Sequence, residues 1–275
     1  DSNKVSNGFL KGNTLSELVG VYMGDLVGEK VFDTYNEHFP LLIKFIDANS
    51  DLSVQVHPND RLAAQLHGEN GKTEMWYVLA ADEQAKINVG FTTPVNKEKL
   101  EHHIQSGTLE EILNYVPTKA GDVFYLPAGK VHAIGKGVLL AEIQQTSDIT
   151  YRLYDYNRKD KNGKLRPLHI EEAYQAIDYE NNDNQPIRIS PKKNKTQLLV
   201  RSPYFVTNLL FFDQKVEKIY IETDSFVIYM CVEGEALIGY DGGEETISKG
   251  ECVLMPAVIE EAVFIPNKSC RLLEI

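Results

Sequence analysis

The chain has 275 residues, 43% of them hydrophobic and 25% charged, which suits one large all-β unit or two modest domains. A net charge of −12 repels nucleic acid and anionic lipid, and no apolar run approaches the length of a membrane span. Cys231, Cys252 and Cys270 are too few and too odd in number for a disulfide framework, which points to reduced thiols in a cytoplasmic protein.

The opening residues, DSNKVSNGFLKGNTLSELV, read as mid-protein sequence and predict that the natural N-terminus lies upstream. Short runs rich in β-branched and aromatic residues follow, bounded by Gly, Pro, Asn or Asp: PLLIKFIDA (40–48), LSVQVH (52–57), EMWYVLAA (74–81), AKINVGF (85–91), DVFYLPA (122–128) and VLLAEIQQ (138–145). Many short strands between turn signals predict a sandwich or barrel. Helices are expected at 59–67, from Asn59 to a stop at Gly68, and at 168–179. Residues 97–116 read as two helices, the second opened by a Thr108/Glu111 capping box. The polar stretch ENNDNQPIRISPKKNKTQ (180–197) marks a boundary between domains at 1–183 and 184–275.

The two parts repeat one pattern. Residues 74–87 and 121–132 match 225–238 and 250–261, with the helical insertion near 97–116 absent from the second copy. In that match Glu74 falls on Ser225, Gly129 on Val258 and His132 on Glu261, so a metal site in the first copy would be lost from the second.

Gln55 and His57 stand two apart on a strand, so both side chains face one point. Glu74, in KTEMWYVL, is a carboxylate in a strand-like run, where an unpaired charge would be costly. GDVFYLPAGKVH (121–132) turns after a strand at Pro127 and Gly129 and brings His132 onto the next one; it resembles the second motif of cupins. One amide, two imidazoles and one carboxylate form an N/O set suited to zinc, with manganese or iron possible. His38, His67, His102, His103 and His169 lie in helical or polar segments and read as solvated; Lys130, Arg158 and the KKNK run at 192–195 read as surface.

Four motifs in order, LSVQVHPND, GKTEMWYVL, LPAGKVHAIG and AEIQQTSDITYRLYDYNR, closely resemble type I phosphomannose isomerases of the short bacterial form, from about residue 9 to the C-terminus. The resemblance implies a mainly β protein with two cupin-like jelly-roll sandwiches, the first carrying the small helical insertion and the site. It implies one zinc per chain, held by Gln55, His57, Glu74 and His132, and interconversion of mannose 6-phosphate and fructose 6-phosphate through an enediol. The family's usual Trp-Gly pair near the start is missing, since Trp76 is the only tryptophan. Within this reading Glu142 is the first choice of base, as a carboxylate between apolar strand residues with a raised pKa. Asp148 is the other, or orients Arg152 through a bidentate pair. Arg152 and Lys72 are the cations for phosphate or enediolate, and Ser53 shares the face of Gln55. The partner is a small sugar phosphate; the oligomeric state is not legible. Two other readings stay open: an iron-dependent cupin dioxygenase, and a sugar-binding cupin without catalysis.

Overall fold

The computed structural model describes residues 3–159, 162–181 and 183–275. These fall into two compact units, residues 41–189 and a second made of residues 1–40 with 190–275.

In chain order the elements begin with helices α1 (Leu15–Val27) and α2 (Glu29–Tyr35). Thr14 and Glu17 cap α1 reciprocally, the Glu17 amide donating to Thr14 Oγ1 at 3.2 Å and the Thr14 amide to Glu17 Oε2 at 2.7 Å. The start of α2 is capped from far along the chain, its Glu29 amide donating to Asp224 Oδ1 at 2.8 Å. Ala257 and Val258 also donate backbone bonds to Leu26 and Asp25. These bonds tie residues 1–40 to the C-terminal part, so the expected first domain of residues 1–183 loses its N-terminal segment.

The unit of residues 41–189 holds β1 (Leu41–Ala48), β2 (Val54–Val56), α3 (Asp60–His67), β3 (Glu74–Ala81), β4 (Lys86–Phe91), α4 (Lys97–Gln105), β5 (Leu113–Pro117), β6 (Val123–Leu126), β7 (His132–Ile134), β8 (Val138–Gln145), β9 (Tyr151–Tyr154) and α5 (Ile170–Ala176). One sheet has the order β1-β8-β3-β6 and the other β5-β4-β7-β2-β9. Trp76, Val78, Phe124, Leu126 and Leu140 from the first sheet share one core with Ile87, Val89 and Ile134 from the second. The second sheet alternates. Val54, Val56, Ala133 and Leu153 join Leu100 of α4 and Ala173 of α5 in a separate core, which leaves Gln55, His132 and Arg152 on the opposite face. The helices cover one side of the sheet that carries the site.

Two expectations are corrected here. Residues 109–111 form only a short 3₁₀ turn without a side-chain cap, and Leu113–Pro117 is a strand paired with β4, Asn88 facing Tyr115. The β-formers Tyr115 and Val116 gain more from the ladder than from a second helical turn. The boundary also lies after Ile189, because Ile187 exchanges backbone bonds with Val123 and Arg188 pairs with Asp122 at 2.8 Å.

The other unit continues with β10 (Lys195–Arg201), β11 (Val206–Phe212), β12 (Val216–Ile219), β13 (Val227–Tyr240), β14 (Gly243–Ser248), β15 (Cys252–Met255) and β16 (Glu261–Glu274). Its ladders reproduce those of the first. β11-β16-β13-β15 repeats β1-β8-β3-β6, and β12 pairs β16 as β2 pairs β7. The register, however, differs by two residues from the sequence match. Trp76 faces Phe124, whereas their sequence matches Val227 and Val253 do not face each other: Val227 faces Met255 and Val253 faces Tyr229. A slip of two keeps every side chain on its face, so the alternation alone could not reveal it.

Candidate metal centre and active-site cleft

Glu74 opens β3 on one sheet, while Gln55, His57 and His132 come from or flank β2 and β7 on the other. One potential ligand atom from each of His57, Glu74 and His132 lies within 4.8 Å of the others, and all three residues are buried. His132 Nε2 is 3.3 Å from Glu74 Oε1, and His57 Nε2 is 3.5 Å from Glu74 Oε2. Each imidazole is oriented by its other nitrogen. His57 Nδ1 lies 2.8 Å from the Ile149 carbonyl and His132 Nδ1 2.8 Å from the Lys130 carbonyl. With those nitrogens donating, both Nε2 lone pairs are free to face the carboxylate, the arrangement that metal-binding histidines use. Gln55 stands opposite His132 in the ladder with its Nε2 3.3 Å from His132 Nε2, and a half-turn of the amide would present Oε1 there instead.

The donor set fits a divalent ion. Both Glu74 oxygens are buried without a well-directed hydrogen bond among the described residues, although the Lys72 ammonium stands 3.0 Å from Oε2. Lys72 Nζ is also 3.2 Å from His57 Nε2, so an ion and this ammonium compete for one lone pair. Burial pushes the Glu74 carboxyl up to about 7, with Lys72 opposing and Glu142 adding to it. Burial takes His132 down to about 4 and His57 well below its ordinary value, with Lys72 lowering both further. The imidazoles are thus neutral, as ligands must be.

Glu142 departs from expectation. Its side chain is 5% exposed, but its oxygens take bonds from Lys44 Nζ at 2.9 Å and Trp76 Nε1 at 3.1 Å. Burial alone would raise its pKa, yet Lys72, Lys44 and these two bonds together hold it below the usual carboxylate value. The expected raised pKa is therefore overturned: two cations stand where the apolar strand pattern suggested isolation. Lys44 was missed by the sequence reading, although a lysine inside the apolar run LLIKFIDA was a signal that its ammonium needed a partner.

Beside the centre lies a cleft of about 390 Å³ lined by Leu52, Ser53, Gln55, Asp148, Thr150, Arg152 and Arg166. Gln55 lines the cleft and stands 3.3 Å from His132, so the cleft and the His-Glu-His cluster are contiguous. The structure thus brings Ser53, Asp148 and Arg152 together as expected, and Lys72 into the metal cluster. The suggested Asp148–Arg152 pair does not form. Arg152 Nη1 donates instead to the Pro167 carbonyl at 2.8 Å, and its Nε is buried without a partner among the described residues. Lys130, expected at the surface, is 3% exposed and donates to Asn181, Asp183 and Asn184, fastening the loop that follows α5. His67 and His169 are likewise engaged, with Tyr151 Oη and the Arg152 amide. No helix among the described residues is long and apolar enough to cross a membrane.

Comparison with known proteins agrees with this geometry. A model of the type I phosphomannose isomerase catalytic domain matches residues 1–91. Mannose-6-phosphate isomerase of Streptococcus mutans is 38% identical over 94% of this chain and 80% of its own length. Mannose-6-phosphate isomerase of Bacillus subtilis has a crystal structure that superposes with a TM-score of 0.83 at 32% identity, covering 99% of this chain and 85% of that one. A mannose 6-phosphate isomerase crystallised with zinc and yttrium shares the fold, with a TM-score of 0.73 at 17% identity over 95% of this chain and 85% of that one. Neither rival reading, dioxygenase or sugar-binding module, gains support from these matches. Relatedness over nearly the whole length, together with the buried His-Glu-His cluster beside a cationic cleft, shows that the chain is an enzyme of the type I mannose-6-phosphate isomerase family.

Proposed function

We propose that this enzyme interconverts mannose 6-phosphate and fructose 6-phosphate by a zinc-assisted proton transfer between C1 and C2. The observation that carries the reading is the meeting of His57, Glu74 and His132 at one buried point, with Gln55 joining that point to a cleft that also holds Ser53, Asp148 and Arg152. Gln55, His57, Glu74 and His132 would hold one zinc ion per chain. When bound there, zinc supplies Lewis acidity toward the sugar oxygens, which one carboxylate and three neutral ligands leave largely intact.

The chain's own groups divide the remaining work. Asp148 is the better-placed base, because it lines the cleft and has no ion pair with Arg152, whereas both Glu142 oxygens are engaged. Glu142 takes a different part: it fixes Lys44. With His57 engaged as a ligand, the Lys72 ammonium, which also stands 3.0 Å from Glu74, would donate to a sugar oxygen. Arg152, on the rung of Gln55 and His132, lies where negative charge develops as the proton leaves. Ser53 offers a hydroxyl to the sugar. The three free cysteines accord with a cytoplasmic setting.

Protein purified without chelator should contain about one zinc per chain and turn over mannose 6-phosphate in a coupled assay. Zinc without turnover, or iron with oxygen uptake, would refute the reading. Asp148→Asn should keep zinc and lower kcat by roughly 10²- to 10⁴-fold, the range of general-base contributions.

A further inference from the structure

We infer that Arg166, braced by the buried Asp155, is the residue that grips the phosphate of the sugar phosphate; this rests on the isomerase reading above. Arg166 lines the same cleft as Arg152 and Asp148, so two guanidinium groups and one carboxylate face a space in a chain whose net charge is −12. A local surplus of positive charge at the mouth of such a cleft suits an anion and little else.

The surroundings of Asp155 show which arginine is available. Its side chain is 5% exposed and takes bonds from two arginines. Arg166 Nε donates to Oδ2 at 2.7 Å and its Nη2 to Oδ1; Arg158 Nε donates to Oδ1 at 3.2 Å. Arg158 is drawn the other way, its Nη1 donating to the Asp51 carbonyl and its guanidinium lying over the Tyr156 ring. One carboxylate cannot neutralise both. Arg166 presents its outer edge to the cleft with a side chain 44% exposed. A guanidinium with one edge fixed by a carboxylate is preorganised for bidentate bonding through the other.

The backbone holds it in place. The segment after Arg166 is bound along β9 by Arg152 Nη1 to the Pro167 carbonyl, by the Arg152 amide to His169 Nδ1 and by the His169 amide to the Arg152 carbonyl. Arg152, opposite Gln55, stands at the metal end of the cleft, with its Nε buried. Arg166 is at the solvent end. A hexose phosphate with C1 and C2 at the metal carries its phosphate at the far end of the carbon chain, toward Arg166.

The test uses zinc-loaded protein and reads KM, kcat and competitive inhibition by inorganic phosphate. Arg166→Ala should raise KM for mannose 6-phosphate on the order of 10- to 100-fold, and weaken phosphate inhibition by a similar factor, as for loss of a charged hydrogen-bonding partner. Zinc content should not change and kcat should stay within about threefold, since uniform binding is what is lost. Asp155→Asn should shift KM in the same direction by less, again with kcat held. Arg166→Lys keeps a charge without the fork and should raise KM several-fold; it decides the matter if Arg166→Ala misfolds. Unchanged KM and unchanged phosphate inhibition in a folded Arg166 variant would overturn the inference, as would a fall in kcat alone. A wild-type protein that binds zinc but does not isomerise mannose 6-phosphate sinks the parent reading instead, so the two failures are distinguishable.

Discussion

Replacing Lys44 with methionine removes a charge and keeps the length of the side chain. In the wild type Lys44 Nζ donates to Glu142 Oε2 at 2.9 Å and to Gln144 Oε1 at 2.6 Å. Glu142 is 5% exposed and cannot turn to water, whereas Lys44 is 35% exposed and is partly screened. Breaking a fully buried pair costs about 3–5 kcal/mol; solvent at Lys44 and the surviving Trp76 bond reduce this to roughly 2 kcal/mol. For a unit of about 150 residues that is a fall of roughly 4–8 °C in melting temperature. The sign of the pH dependence is fixed by the same geometry. In the wild type the Glu142 pKa is depressed below 4.5, so its contribution is complete above that value and is lost as pH falls through the folded pKa. In the variant the contributions of Lys44 are lost while those of Lys72 and Trp76 remain, so the pKa moves up from its wild-type value and the variant is less penalised once Glu142 is protonated. The stability gap between the two proteins, measured by urea unfolding, should be full from pH 8 down to about 5 and shrink as pH falls below 4.5. A gap under about 0.5 kcal/mol, or one that stays flat as pH falls below 4.5, would refute a buried pair maintained by Lys44.

His132→Ala should reduce zinc content measured by mass spectrometry and abolish turnover, because it removes one of two imidazoles facing Glu74. In protein stripped with a chelator, Glu74 titrates at about 7 against 4.5 unfolded. Taken alone its raised folded pKa would cost stability as pH rises from about 4.5 to about 7, but His132, lowered to about 4, and His57, also lowered, act in the opposite sense below 6.5, so the stripped protein should gain stability between about pH 4.5 and 6.5 in urea melts; a fall over that range would mean that the two imidazoles are not held neutral. Gly135→Ala would set a Cβ 2.1 Å from the Lys86 carbonyl on the neighbouring strand, and should cost about 2–3 kcal/mol in thermal or chemical unfolding.

The residues legible in the sequence are those whose partners lie within a few positions or whose chemistry is costly without a ligand. Gln55 and His57 share a strand face, Glu74 is a carboxylate among apolar neighbours, and His132 follows a Pro-Gly turn. What stayed hidden depends on contacts across the chain. Lys44 meets Glu142 only because β1 pairs β8, so neither the ion pair nor the depressed pKa has a local signature. Arg166 lines the cleft with its side chain bonded to Asp155 and with the following Pro167 and His169 bonded to Arg152 of β9, and residues 1–40 join the C-terminal unit through Asp224, 195 positions from the amide it caps. The turn at 109–111 carries a capping-box pattern, yet the β4 ladder outweighs it. Alternation could pair the two matched segments but not fix their register, because a slip of two residues preserves the pattern.

Gln55 occupies a single rung with His132 on one side and Arg152 on the other. A displacement of β2 by one residue would turn its amide toward the helical layer and separate it from both neighbours together. The contacts of Gln55 with His132 and with Arg152 therefore cannot erode one at a time through strand slippage; a molecule keeps both or loses both. Heat or denaturant acting on this sheet should thin the population of working molecules while leaving the turnover number of each survivor unaltered.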